Sequence, residues 1–248
     1  MIHSFLLIGQ SNMAGRGVIG DVERIDNPHL KMLRNGRWQP MTAPVNPDRP
    51  FSGVSLAESF ADAYQKDHNA DVGLIPCADG GTQLEQWKEG SLLFDHAMLQ
   101  ARLAERTSTI AGVLWHQGES DCHPGLAETY RERLEVFYAA LTKALHLKNV
   151  PFILGGLGDY LSELEEEKQY YPLVNRQLRE FADAHPMTAF VPAENLEGKP
   201  DHLHFNATAL REFGLRYYEA FRTVEPKDRV FIEKPNEDDT LRTYIDAL

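Results

Sequence analysis

The chain has 248 residues, and a hydrophobic content of 42% with 25% charged residues is that of a soluble globular protein with enough apolar material for a sizeable core. A formal charge of -12 disfavours nucleic acid or an anionic membrane surface as partner, because the summed field repels phosphate. No apolar run is long enough to span a bilayer, and the first apolar strand starts within a few residues of Met1 with no basic segment before it, so the expectation is a cytoplasmic protein without a signal peptide. Cys77 and Cys122 lie far apart and match neither a disulfide framework nor a Cys-x-x-Cys pattern, which predicts reduced thiols.

In chain order, Phe5 to Ile8 is a continuous apolar run of strand length, broken by Gly9. The stretch that follows, Gly9 to Gly17 (GQSNMAGRG), puts Ser11 on a turn at the carboxyl end of that strand, where open α/β sheets hold their ligands. If a helical turn begins there, the Ser11 amide and its neighbours point outward and suit an anionic oxygen. Residues 18–50 read as a long excursion with a hairpin signal at Asn35-Gly36. The apolar spacing of Val54 to His68 predicts an amphipathic helix. A strand over Asp71 to Cys77 then runs into the Gly80-Gly81 loop.

A helix over Phe94 to Arg106 leads to a strand over Ile110 to His116, which enters the polar loop Gln117 to Asp121. A helix over Leu126 to Leu147, a strand over Val150 to Leu157 and a helix over Leu164 to Ala184 follow, the last interrupted at Pro172. A strand over Met187 to Ala193 and a helix over Ala207 to Arg222, capped by Asn206, complete the pattern. Strand and helix alternate about five times. The expectation is one α/β domain over residues 1–248, with a doubly wound parallel sheet of about five strands, helices on both faces and loops gathered at one edge. An acidic tail begins near Glu225, with Val230 to Ile232 its main apolar content.

Four strand-end loops would converge on one rim: Ser11, Gly80-Gly81, Gln117 to Asp121, and Asp201 to His204. Acyl transfer by a serine needs a base within reach, a group that orients the base, and donors for the developing oxyanion. In Asp201-x-x-His204 the carboxylate can sit against one imidazole nitrogen while the other faces Ser11. Candidate oxyanion donors are the Ser11 amide, the Gly80 or Gly81 amide, and the Gln117 side chain.

These motifs, in this order, resemble the SGNH hydrolases, and within them the carbohydrate acetylesterase branch of sialate O-acetylesterase-like and plant xylan-esterase-like proteins. GQSNMAGRG resembles the first block, Gly80-Gly81 the second, His116-Gln-Gly-Glu-Ser-Asp121 the third in this branch's form, and Asp201-His-Leu-His204-Phe the last. The resemblance implies a flavodoxin-like three-layer α/β/α sandwich and a serine esterase acting on acetyl or other short-chain esters of sugars, with no cofactor. Asn12, Arg16 and Glu119 are candidates for holding substrate or supporting the site. His202 competes with His204 for the base role, and spacing favours His204.

Each motif also has a plainer reading. A serine after a strand is ordinarily a helix N-cap, paired glycines a turn, and an Asp-x-x-His an ion pair or cap. Trp87 and Trp115 are read as packing rather than as sugar platforms. Glu119 and Arg16 suit structural links as well as substrate contacts, and Cys122 beside His123 is read as a plain thiol. The first rival function is a metal-dependent hydrolase using His116, Glu119, Asp121, His123, His202 and His204. The second is a sugar-binding module without activity. The sequence leaves the identity of the sugar and the oligomeric state open.

Overall fold

Apolar runs bounded by glycine or polar turns become strands here because helices cover both of their faces, so every second residue has a core to enter. The computed structural model describes residues 1–164, 166–228 and 230–234. In chain order these contain β1 (Ile2–Gly9), the short α1 (Ser11–Ala14), β2 (Leu30–Arg34), β3 (Arg37–Pro40), α2 (Leu56–His68), β4 (Asp71–Pro76), α3 (Leu92–Ala104), β5 (Ser108–His116), α4 (Tyr130–Ala144), β6 (Phe152–Gly155), α5 (Tyr171–Ala184), β7 (Thr188–Val191) and α6 (Ala207–Val224).

The sheet runs β3-β2-β4-β1-β5-β6-β7. It has seven strands rather than about five, because the Asn35-Gly36 hairpin is part of it. β2 pairs in parallel with β4, from Leu30 opposite Val72 to Met32 opposite Leu74, while β3 closes the edge antiparallel to β2. Leu30, Met32 and Leu33 are buried, and that apolar content draws the hairpin onto the sheet. The other five strands keep the doubly wound order, in which the direction of winding reverses between β1 and β5.

α2 and α6 cover one face, where Phe5, Phe60, Tyr64 and Phe221 meet edge to face with centroids 4.7–5.8 Å apart. α3, α4 and α5 cover the other, around Trp115, Phe137, Phe152 and Phe181. Trp87 and Trp115 are fully buried there with centroids 5.7 Å apart, so both are core residues. Among the described residues no helix is long and apolar enough to cross a membrane.

Helix boundaries follow their caps. α2 starts at Leu56 because Ser55 accepts from the Ala57 amide while Glu58 accepts from the Ser55 amide, and Asn206 caps α6 through the Ala209 amide. Pro172 stands in the first turn of α5, where its missing N–H costs nothing, so the helix restarts there. α4 begins at Tyr130, later than its periodicity predicts, because residues 123–129 form hydrogen-bonded turns. Of the tail, Glu225 pairs with His68 at 3.0 Å and Phe231 stacks on His3 at 3.6 Å, whereas residues 235–248 lie outside the described residues.

Gly214 of α6 lies so close to α2 that a Cβ there would be 2.1 Å from the Leu56 carbonyl oxygen and 2.1 Å from Ser59 Oγ. Gly214→Ala must push the two helices apart, and the expected loss in denaturant unfolding is about 1–3 kcal/mol. Unchanged stability would mean that the α2–α6 contact is slack.

Candidate active site

The site forms where β1 and β5 end side by side. Gly9 pairs with His116, has φ of +126°, and a Cβ on it would be 2.0 Å from the His116 carbonyl oxygen, so only glycine permits the approach. The Gln10 amide donates to that same oxygen at 2.8 Å, and the chain then turns into α1 with Ser11 as its first residue. The Ser11 amide therefore has no acceptor inside the helix.

Ser11 Oγ lies 3.0 Å from His204 Nε2, and His204 Nδ1 lies 3.0 Å from Asp201 Oδ2. The other carboxylate oxygen of Asp201 accepts from the Leu203 and His204 amides, both at 3.0 Å, so the acid and the imidazole are fixed to each other by one local turn. Partial burial acts to raise the Asp201 pKa, but the bonds from His204 and these two amides outweigh it and hold the carboxyl down at about 2. His202 has φ of +50° and turns its ring to Glu163 at 3.1 Å, which leaves His204 as the imidazole on Ser11.

Asn12 ties this loop to the sheet. Its Oδ1 accepts from the Phe205 amide at 3.1 Å, and its Nδ2 donates to the Leu203 carbonyl at 3.2 Å and to Glu119 Oε1. Asn12 is fully buried and supports the site rather than facing substrate. Glu119 is buried as well and also takes His116 Nε2 at 3.1 Å. Burial raises its pKa, but the charge and hydrogen bond of His116 and the bond from Asn12 outweigh that and lower it.

An open cleft of about 270 Å³ lies over Ser11 and His204, lined also by Gln10, Arg16, Arg49, Phe51, Gly80, Gly81, Glu119, Ser120, Lys168 and Leu203. Gly81 has φ of +80°, and its amide donates to no group among the described residues. Two expectations, for Gly80 and Gln117, are corrected here, and of the two readings of Arg16 the structural link is the one found. The Gly80 amide donates to Asp48 Oδ2 at 2.9 Å and is not free for an oxyanion; a Cβ at position 80 would be 2.4 Å from Arg16 Nη2 and would displace the guanidinium that holds Asp48. Gln117 is fully buried, outside the cleft lining, and its Nε2 is committed to the Thr82 carbonyl at 3.0 Å and Asp121 Oδ2 at 2.6 Å. Arg16 grips Asp48 with two bonds of 2.9 and 2.7 Å, so although it lines the cleft its charge is spent within the protein.

Of the residues of the metal-site reading, His116 and Glu119 pair with each other and the rest take separate partners: Asp121 binds Arg133, His123 approaches Lys168, His202 binds Glu163 and His204 binds Asp201. Among the described residues no three histidine, cysteine or acidic side chains gather as a metal cluster. Cys122 is buried with its thiol donating to the Gly118 carbonyl, and burial pushes its pKa up, so it is no nucleophile. Sequence reasoning missed Gln10, Asp48, Arg49, Phe51 and Lys168, since no periodicity marks the loops that carry most of them.

A parallel sheet with its polar loops at the switch point between β1 and β5 has the architecture of the SGNH-type α/β hydrolases. The chain belongs to the carbohydrate esterase, sialic acid-specific acetylesterase family, whose model matches residues 1–223. It is 29% identical over 245 residues to a "Probable carbohydrate esterase" of Arabidopsis thaliana, across 88% of this chain and 89% of the relative. The crystal structure of an Arabidopsis thaliana protein superposes with a TM-score of 0.80 at 27% identity, covering 89% of this chain and 98% of that one. NanS (TM-score 0.73, 17% identity, 90% of this chain and 97% of that one) and a carbohydrate acetylesterase from Xanthomonas citri (0.69, 20%, 90% and 56%) share the fold. The activity class that goes with the family is that of a carbohydrate acetylesterase.

With Gln117 placed beneath the site, Gln117→Ala removes donors to the buried Asp121 and the Thr82 carbonyl and one of the two acceptors of the Tyr130 hydroxyl, the Gln117 backbone carbonyl being the other. The expected loss of stability is about 1–3 kcal/mol, read from thermal or denaturant unfolding. An unchanged melting temperature with lost turnover would return Gln117 to the cleft.

Proposed function

We propose that this protein hydrolyses O-acetyl or other short-chain esters on carbohydrates by a serine mechanism. The observation that carries the proposal is the hydrogen-bonded series Ser11 Oγ, His204 Nε2, His204 Nδ1 and Asp201 Oδ2, at 3.0 Å for both side-chain contacts and open to a cleft. As Ser11 Oγ bonds to the ester carbon, its proton passes to His204 Nε2 and the carbonyl electron pair moves onto oxygen. Collapse breaks the bond to the sugar oxygen, which leaves with the proton from His204. A water activated by His204 then attacks the acyl-enzyme, releasing the carboxylic acid and restoring Ser11.

Asp201 stabilises the imidazolium and fixes which nitrogen faces Ser11. The Ser11 and Gly81 amides are the backbone donors for the oxyanion. Exposed Phe51, Arg49, which bonds to Asp79 and the Gly80 carbonyl, and Lys168, which bonds to the Glu119 carbonyl, also line the cleft and are the surface assigned to the sugar. The buried free cysteines support the cytoplasm as the working location.

Ser11→Ala is expected to abolish release of p-nitrophenol from p-nitrophenyl acetate and of acetate from acetylated sugars, with little change in melting temperature. Full turnover by the folded variant would remove the serine mechanism, and no turnover by the parent would leave a sugar-binding module. With the Asp201 pKa held at about 2, that carboxylate stays ionised across the working range. A pH–rate profile is therefore expected to show no contribution from Asp201 between about pH 5 and 8, and a rate loss in that range traced to protonation of Asp201 would contradict the bonds that hold its pKa down. Asp201→Asn keeps the shape but favours the wrong imidazole tautomer, and a kcat loss of roughly 10²–10⁴-fold is expected, larger than that of Glu119→Gln. The reverse ranking would give the orienting role to Glu119.

A further inference from the structure

We infer that the side-chain amide of Gln10 is a donor of the oxyanion hole, aimed into the cleft by a buried relay. The inference rests on the serine-esterase reading above. Gln10 directly precedes Ser11, is 2% exposed and lines the same cleft as Ser11 and His204. Its Oε1 accepts from two backbone N–H groups, the Gly118 amide at 3.4 Å and the Ser120 amide at 3.3 Å, and Gln117 Nε2, whose two hydrogens serve Thr82 and Asp121, lies 3.3 Å away on the same side.

The two backbone amides, with the Gln117 NH₂ beside them, settle which end of the Gln10 amide is oxygen, since the flipped amide would set its own N–H groups against them. The NH₂ end is left pointing away from the Gly118–Ser120 turn. Among the described residues it donates to nothing, and it is not among the buried polar atoms that lack a partner, so it reaches the cleft surface. A donor held in place without a protein acceptor is what a developing oxyanion requires, because it needs no reorganisation when the charge appears.

The relay beneath explains why Gln117 is spent elsewhere. Arg133 holds Asp121 Oδ1 at 2.7 Å, Asp121 Oδ2 takes Gln117 Nε2 at 2.6 Å, and the same Gln117 nitrogen faces Gln10 Oε1. The Tyr130 hydroxyl donates to Gln117 Oε1 at 2.9 Å and so fixes that amide too. Each bond orients the next group. Gln117 is therefore a positioning residue, and Gln10 takes the catalytic place that the sequence pattern suggests for Gln117. With the Gly80 amide engaged by Asp48, the donor set becomes the Ser11 amide, the Gly81 amide and Gln10 Nε2.

The test is Gln10→Glu, which keeps the shape and the acceptor for the two backbone N–H groups but puts a carboxylate oxygen where the NH₂ stood. With p-nitrophenyl acetate, kcat is expected to fall by about 10²–10³-fold or more, with KM changed by less than about threefold. Inhibition by phenylboronic acid, which forms a tetrahedral adduct on an active serine, is expected to weaken in parallel, a readout that a merely structural role would not move. If Gln10→Glu fails to fold, Gln10→Met, uncharged and of similar volume, is measured in the same way and is expected to lose kcat and boronate affinity together. Parental kcat and boronate inhibition in a folded Gln10 variant, with Ser11→Ala inactive, would overturn the role of Gln10 and leave the serine mechanism standing. A raised KM at parental kcat would equally overturn it by making Gln10 a ground-state contact. Turnover by Ser11→Ala would instead overturn the reading on which the inference rests.

Discussion

The site depends on how closely β1 and β5 approach where both end. Gly9 opposite His116 allows two backbones to come within a distance that no side chain would fit, and the Gln10 amide closes the contact on the His116 carbonyl. That contact decides where Ser11 emerges, and it sets the serine beside the Gly118–Asp121 turn from the neighbouring strand. Gly118 makes the turn possible in the same way: its φ is +147° and a Cβ on it would be 2.9 Å from Val174 Cγ1. The reacting group is thus held at the paired ends of two strands rather than by a long loop.

The imidazole arrives from the far end of the chain, and buried polar groups hold it there. Asn12 satisfies the Leu203 carbonyl and the Phe205 amide on either side of His204, and Glu119 anchors Asn12. Burying a carboxylate is costly, and Glu119 offsets that cost through Oε1 alone, which engages His116 and Asn12, while its Oε2 is buried without a hydrogen-bond partner. The same three residues therefore join β5, α1 and the loop before α6. A network of this kind is sensitive to removal of any one member, since the partners left behind remain buried and unpaired.

Much of this was legible in the sequence because it is local. The parallel strands show as apolar runs of four to eight residues in the chain pattern, and Asp201 and His204 lie three positions apart, so one turn suffices to join them. Ser11 is marked by the strand and glycine before it. The polar assignments that needed correction turn on contacts between distant segments, Gly80 with Asp48 and Gln117 with Thr82, and the structural reading of Arg16 likewise rests on a distant partner, Asp48. Residues 18–50 carry no helical or strand period strong enough to show that Asp48 and Arg49 return to the site. The hairpin was visible as a turn, but its docking on β4 depends on apolar surface that only the assembled sheet presents.

The central claim is that Ser11 forms a covalent bond to the acyl group, and the direct measurement is peptide mass spectrometry after rapid acid quench of a reaction with an excess of acetyl ester. Asp201→Asn is included because the slowed base should let the intermediate accumulate if deacylation is the more impaired step. The account predicts an acetyl group on the peptide containing Ser11, appearing within the first turnover and lost when ester is exhausted. Turnover with the Ser11 peptide unmodified at every quench time, or an acetyl group that forms only on another residue, would contradict it.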